Sequence, residues 1–200
     1  ISGNEGYGIY FFNADSNEVF GNIIGATIDI DTLGDNGASG IYLYNSSCNS
    51  IGGENMDHRN IIVNNKYQGI VLTGSSSVNN IISWNFIGTD PEEKDLSNGG
   101  EGIYIGSGAS DNRVGPSNVI AFNYEDGIIV RNSNTVGNTI TRNSIYCNKE
   151  MGINLEAEAN QNIVKPLIQV NGNVSGTAPI LSTVEIFSGP DDEGKDFLGS

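Results

Sequence analysis

Residues 118 to 153, NVIAFNYEDGIIVRNSNTVGNTITRNSIYCNKEMGI, state one unit and then state it again. Asn118, Ile120, Asn123, Gly127 and Ile128 recur as Asn143, Ile145, Asn148, Gly152 and Ile153, an offset of 25 residues. A period in this range describes a unit that cannot bury its apolar face alone and must stack on copies of itself. The same frame extends back through the chain. An opening unit holds Ile1, Asn4, Gly8 and Ile9; the next holds Asn22, Ile24, Gly40 and Ile41. Then come Asn60, Ile62, Asn65, Gly69 and Ile70, followed by Asn85, Ile87, Gly102 and Ile103. With the pair quoted first, six units keep one register, and they are numbered here as coils 0 to 5.

Each unit contains three short extended pieces. The first is Asn-x-Ile/Val at 17 to 19, 49 to 51, 80 to 82, 112 to 114 and 138 to 140; the second is Asn-x-Ile at 22 to 24, 60 to 62, 85 to 87, 118 to 120 and 143 to 145. The third is Gly-Ile-x-hydrophobe, starting at Gly8, Gly40, Gly69, Gly102, Gly127 and Gly152. Alternation of period 2 marks these as strands of three or four residues. Three strands per turn at this period resemble the right-handed parallel β-helix of the pectate-lyase-like and NosD-like carbohydrate-binding and sugar-hydrolase repeat proteins. The resemblance covers roughly residues 1 to 160.

The expected fold is all-β, a three-stranded parallel β-helix (a solenoid) of about six coils over residues 1 to 163. Ile and Val would line the inside of a prism, and backbone hydrogen bonds would run between coils. The Asn residues belong at the bends, where Asn tolerates left-handed backbone and, stacked in register, forms amide ladders. The Gly before each third strand is expected to supply a positive φ.

After Leu155 the pattern fades, and from about residue 166 the chain reads as separate strands: LIQVNGNVSGTAP, STVEIFSG, the turn PDDEG, then DFLGS. This resembles the opening strands of an immunoglobulin-like β-sandwich of bacterial surface proteins. Residues 164 to 200 are too few to close a sandwich of roughly 100 residues, so completion by another chain or a longer parent is expected. Coil 0 begins without a capping segment, and an open coil end is a row of unpaired backbone groups. Homo-assembly through coil ends, or through exchanged C-terminal strands, is therefore a second expectation.

Nine Lys and Arg stand against 24 Asp and Glu, a formal charge of −15. Nucleic acid and anionic membranes need clustered basic residues, so neither is an expected partner. No run approaches the roughly 20 apolar residues that span a bilayer. Cys48 and Cys147 fall about three coils apart, near 14 Å at roughly 4.8 Å per coil. That exceeds the roughly 7 Å Cα limit for a disulfide, and none is expected between them.

Candidate chemistry follows from which rows face outward. If Ile9, Ile41, Ile70, Ile103 and Ile128 point in, then Tyr10, Tyr42, Val71, Tyr104 and Ile129 point out, and Phe12 and Tyr44 share that face. Stacked aromatics at solvent make a platform for sugar rings; cross-strand pairing that stabilises the sheet gives the same pattern. A second candidate lies where the frame is stretched. Eight residues separate Ile120 from Ile128, but 17 separate Ile24 from Ile41 and 16 separate Ile87 from Ile103. The two loops carry Asp29, Asp31 and Asp35, and Asp90, Glu92, Glu93 and Asp95. Such oxygen ligands could hold Ca²⁺, although the spacing fits no EF-hand loop and acidic loops are commonly just solvated.

A different insert, GGENMDHR, splits coil 2 and carries the single histidine, His58, between Asp57 and Arg59. It is a candidate acid-base group or an ordinary surface residue. The Asn-Thr-Asp and Gly-His-Gly motifs of polygalacturonases and the Asp-Pro-His-Asp motif of mannuronan epimerases have no counterpart here. The function expected is a structural and adhesive module of a larger secreted or cell-surface protein, contacting polysaccharide or other surface-protein domains. The alternatives are a polysaccharide lyase, hydrolase or epimerase, and a self-assembling surface subunit.

Overall fold

A computed structural model describes residues 1 to 27, 34 to 163, 167 to 170, 174 to 178, 185 to 189 and 194 to 199. The three strand positions of the repeat become three parallel sheets. Sheet I stacks β1 (Ile9–Phe12), β4 (Ile41–Tyr44), β7 (Ile70–Thr73), β10 (Ile103–Gly106), β13 (Ile128–Arg131) and β16 (Ile153–Glu156). Sheet II stacks β2 (Glu18–Val19), β5 (Ser50–Gly52), β8 (Ile81–Ser83), β11 (Arg113–Val114) and β14 (Thr139–Ile140). Sheet III stacks β3 (Ile23–Ile24), β6 (Ile61–Ile62), β9 (Phe86–Ile87), β12 (Val119–Ala121) and β15 (Ser144–Tyr146). This is a solenoid-like repeat architecture consistent with a parallel β-helix.

Register follows the repeat without slippage. Ile9, Ile41, Ile70, Ile103, Ile128 and Ile153 are partners in successive strands of sheet I. One continuous core results, in which Ile24, Ile51, Ile62, Ile82, Ile87 and Ile120 from the other sheets meet Ile41, Ile70 and Ile103, all with no exposure. Each such side chain contributes about 1.5–3 kcal/mol relative to exposure. Because the backbone bonds run between coils, this stabilisation accumulates coil by coil.

The asparagines form three axial ladders. Asn17, Asn49, Asn80, Asn112 and Asn138 make the first; Asn22, Asn60, Asn85, Asn118 and Asn143 make the second. The third runs through Asn4, Asn36, Asn65, Asn98, Asn123 and Asn148. Amide-to-amide distances are 2.7–3.2 Å throughout. Each inner amide also donates to a carbonyl of the preceding coil, as Asn85 does to Ile51. The ladders thereby give corner carbonyls a second donor beside a backbone N–H of the next coil, as at Ile82 O, which accepts from Gly115 N and from Asn118 Nδ2.

Left-handed backbone sits one residue earlier than expected. Ser16, Cys48, Asn79 and Asp111 have positive φ directly before rungs of the first ladder, and Trp84, Ser117 and Arg142 do so before rungs of the second. The turn is made by the preceding residue, which frees the Asn to point inward. The Gly before each third strand is corrected likewise: Gly40, Gly69, Gly102 and Gly127 do not have positive φ. Their reason is contact. A Cβ on Gly102 would sit 2.6 Å from the Gly127 carbonyl and 2.9 Å from the Asn123 amide of the third ladder.

The fading after Leu155 is only partial. A short turn at Ala159–Asn162 returns Asn160, whose Oδ1 accepts from Asn138 N at 2.8 Å and extends the first ladder. Beyond it, β17 (Leu167–Val170) pairs with β18 (Val174–Thr177), and β19 (Ile186–Ser188) with β20 (Asp196–Gly199), as two antiparallel hairpins. The last strand of sheet III is not left open, since Ile145 N donates to Gly194 O at 3.1 Å. Glu185 accepts from Thr141 Oγ1 and from Arg142 N beside it. No disulfide joins Cys48 and Cys147.

Candidate functional site

The outer face of sheet I begins with an aromatic strip. Tyr10 pairs with Tyr42, and Phe12 with Tyr44, in the register of β1 and β4. Phe12 and Tyr44 stack with nearly parallel planes, 5.7 Å between centroids and 10° apart in tilt, while Tyr10 meets Tyr42 edge-on at 5.6 Å. Tyr7, which strand alternation does not single out, closes the group at 4.6 Å from Tyr42 and 5.2 Å from Tyr10. Tyr10 and Phe12 keep more than half of their surface in solvent, at 51% and 57%. Tyr42 is partly covered, and this burial, followed by the neighbouring tyrosines Tyr7, Tyr10, Tyr104 and Tyr44, pushes its phenol pKa up.

The strip stops at coil 2. Val71 and Ile129 occupy the same outward row, yet both are buried, at 4% and 1% exposure. Tyr104 is separated from Tyr42 by Val71, its partner in register. Its ring crosses Gly106, where an added Cβ would meet the phenol within 2.6 Å. Tyr104 and Tyr42 instead flank a depression of about 270 Å³ floored by Val71 and edged by Gln68, Thr73 and Ser107. Five rings form the strip, and Tyr104 faces it across this depression.

Polar groups continue the face. Ser39 donates to Gln68, and Gln68 to Glu101, at 2.9 Å each. Farther along, Arg131 pairs with Glu156 at 2.7 Å. Glu125 is held above the ordinary carboxylate range by burial first, then by Glu101, with which it shares a hydrogen bond, and by Glu150 and Asp126. Folded Glu125 therefore binds its proton at higher pH than the unfolded chain does. Its stability contribution is complete below about 4.3, the ordinary glutamate value, and is lost as pH rises through the raised value. Glu125 lies exposed in the turn before β13, where solvent screens the repulsion, so Glu125→Gln is expected to stabilise the fold at pH 7 by less than about 1 kcal/mol, the scale of exposed charge contacts. The gain should vanish near pH 4 in denaturant titrations.

The paired acidic loops resolve differently. Asp29 and Asp31 lie outside the described residues. Asp35 is exposed, directly ahead of ladder residue Asn36. Asp90 is buried, and its Oδ1 accepts from Glu92 N and Lys94 N at 3.0 Å each, which shapes its own turn. Asp95 accepts from Ser97 N, and Glu93 pairs with Lys195 at 2.6 Å. Among the described residues no group of three acidic, His or Cys side chains is placed to hold a metal ion.

Both loops end on a rung. Asn36 and Asn98 stand four residues before Gly40 and Gly102, as Asn65 stands before Gly69. That Asn-x-x-x-Gly spacing is the signal that identifies them. His58 packs on Phe20 at 4.9 Å and has no carboxylate within ion-pair distance among the described residues. Comparison with protein-family models, curated proteins and solved structures gives no match, so the reading rests on this geometry.

Proposed function

We propose that this chain is a stiff extracellular or cell-surface adhesive module whose aromatic strip contacts polysaccharide. In this reading the three sheets close into a right-handed parallel β-helix of the pectate-lyase-like kind. The C-terminal hairpins open an immunoglobulin-like sandwich that links the module to other surface-protein domains. One observation carries the reading: Tyr7, Tyr10, Phe12, Tyr42 and Tyr44 hold their rings 4.6–6.1 Å apart on one face, with Tyr10 and Phe12 mostly in solvent. Packing within the sheet accounts for ring pairs but gains nothing from leaving their flat faces wet. Flat apolar faces edged by hydroxyls suit the C–H faces and hydroxyl rims of sugars.

The test is retention of the purified chain on a polysaccharide array, with and without calcium, together with assay of new reducing or unsaturated ends. Retention without new ends is expected. Tyr10→Ala combined with Tyr44→Ala should weaken it by about tenfold or more, since each ring contributes on the order of a kilocalorie per mole beyond its area. New chain ends would move the function to polysaccharide cleavage, and absence of retention would return the strip to sheet packing.

A further inference from the structure

The insert of coil 2 builds a second surface feature at the corner where sheet II passes into sheet III. Its short turn, Met56–His58, is capped by Asn55, whose side chain accepts from Asp57 N at 2.9 Å. The turn delivers Arg59 immediately before ladder residue Asn60. There the guanidinium carbon lies 4.5 Å from the Phe86 ring centroid and 5.2 Å from that of Trp84. Trp84 itself is fixed at the matching corner of the next coil, in left-handed backbone, with its N–H on Pro116 O at 3.1 Å.

A guanidinium offers five N–H donors in a rigid fork and keeps its charge. In a chain with 24 acidic residues a carboxylate on that fork is the ordinary outcome. Arg59 has none. Its side chain meets no hydrogen-bond or ion-pair partner among the described residues, and its Nε is fully enclosed. The terminal nitrogens are not enclosed and reach the surface. Burial without a counter-charge also pushes the pKa below the usual arginine value. The aromatic rings hold the fork in place without satisfying it.

We propose that Arg59, backed by Phe86 and Trp84, is a carboxylate-binding site that takes a single uronate unit of an otherwise neutral glycan. The terminal nitrogens chelate the carboxylate in the plane of the fork, the geometry in which arginine pairs most strongly. Half-buried Trp84 supplies the flat face for the sugar ring beside it. The net charge of −15 selects the ligand further, because it repels a densely acidic polymer but costs little against one isolated uronate. The site lies on different sheets from the aromatic strip and shares with that reading only the class of ligand.

Trp84 is the one tryptophan of the chain, so its emission reports this corner alone. Titration of the whole chain with a xylo-oligosaccharide bearing one glucuronate is expected to give a saturable change in that emission. The affinity should exceed that for the unsubstituted oligosaccharide by about tenfold or more, the scale of hydrogen bonds to a charged group. Arg59→Met keeps apolar packing on the rings and should abolish the preference; Arg59→Lys should retain a weaker one. Should Arg59→Met fail to fold, the guanidinium resonances of Arg59 in the unaltered chain must shift with glucuronate saturation and stay still with the neutral oligosaccharide. An equal response to both oligosaccharides, or no response, overturns the proposal, as does an Arg59→Met titration matching the parent. A response to inorganic phosphate of the same size also overturns it by showing an unselective anion contact. Loss of array retention in the Tyr10 and Tyr44 variant, with the Trp84 titration unchanged, separates the two readings.

Discussion

Replacing Asn85 by alanine is expected to lower the stability of the solenoid by about 3–5 kcal/mol, several buried polar groups losing partners at roughly 1–3 kcal/mol each. Asn85 is fully buried and stands mid-ladder. Its Nδ2 donates to Ile51 O, Ser83 O and Asn118 Oδ1 at 2.9–3.0 Å, while its Oδ1 accepts from Asn60 Nδ2 at 2.8 Å. Alanine takes one acceptor from the Asn60 amide, which keeps Val19 O, and one donor from each of Ile51 O, Ser83 O and Asn118 Oδ1, in a space lined by protein where a trapped water recovers only part of the loss. Asn85→Asp should be worse, because an oxygen then replaces the nitrogen among three acceptor oxygens. Asn22→Ala, at the partly exposed start of the same ladder, should cost about 1 kcal/mol, the worth of one hydrogen bond. Denaturant titrations of the three variants decide the matter. Equal losses for Asn85→Ala and Asn22→Ala would show that the ladders decorate the fold and do not hold it.

Gly52→Ala is expected to be at least as severe, costing more than about 4 kcal/mol and reducing the yield of folded protein. Gly52 closes β5 with φ +84, a conformation L-residues rarely adopt, and an ideal Cβ there would lie 1.8 Å from Ser83 O. The obstacle is the backbone of the next coil, so no side-chain rotation can relieve it. The coils would have to separate locally, which breaks the β5–β8 ladder and lifts the Asn85 amide, 2.8 Å from the same Cβ. Gly6→Ala supplies the control. Nothing lies within 4 Å of a Cβ at Gly6 and its φ is not positive, so its effect should stay within about 0.5 kcal/mol. Comparable losses at the two sites would refute the steric account.

The strand frame was legible because each coil repeats the same chemistry at fixed spacing. Every third strand opens on Gly-Ile, and the inward Ile rows then set the register of all three sheets. The corners were harder to read. Ser16, Cys48, Asp111 and Trp84 all make the same left-handed turn, so no residue type marks it. What marks it is position, one step before a ladder Asn. The glycines were assigned the wrong cause for a related reason: a close approach between coils leaves no trace in a single coil's sequence.

Alternation of period 2 located Tyr10, Phe12, Tyr42 and Tyr44 on the outer face. It also included Tyr104, which Val71 separates from the strip, and it omitted Tyr7, which precedes the strand. Composition shows the charge of Asp90 but not the two backbone N–H groups from which its Oδ1 accepts. Arg59 was visible only as the neighbour of His58. Its significance depends on Phe86 and Trp84, which lie one coil away.

The amide ladders also give the molecule a direction. In every rung the nitrogen belongs to the earlier coil and the oxygen to the later one, from Asn4 giving to Asn36 through to Asn123 giving to Asn148. Three columns of side-chain dipoles therefore point the same way along the axis, and the two faces of any coil are chemically unlike. A further coil, from whatever source, can extend the columns only with matching polarity. Two-fold pairing of like faces would set oxygen against oxygen at one end and nitrogen against nitrogen at the other. A contact between copies that kept the columns running would therefore have to be head-to-tail, the heterologous kind of symmetry.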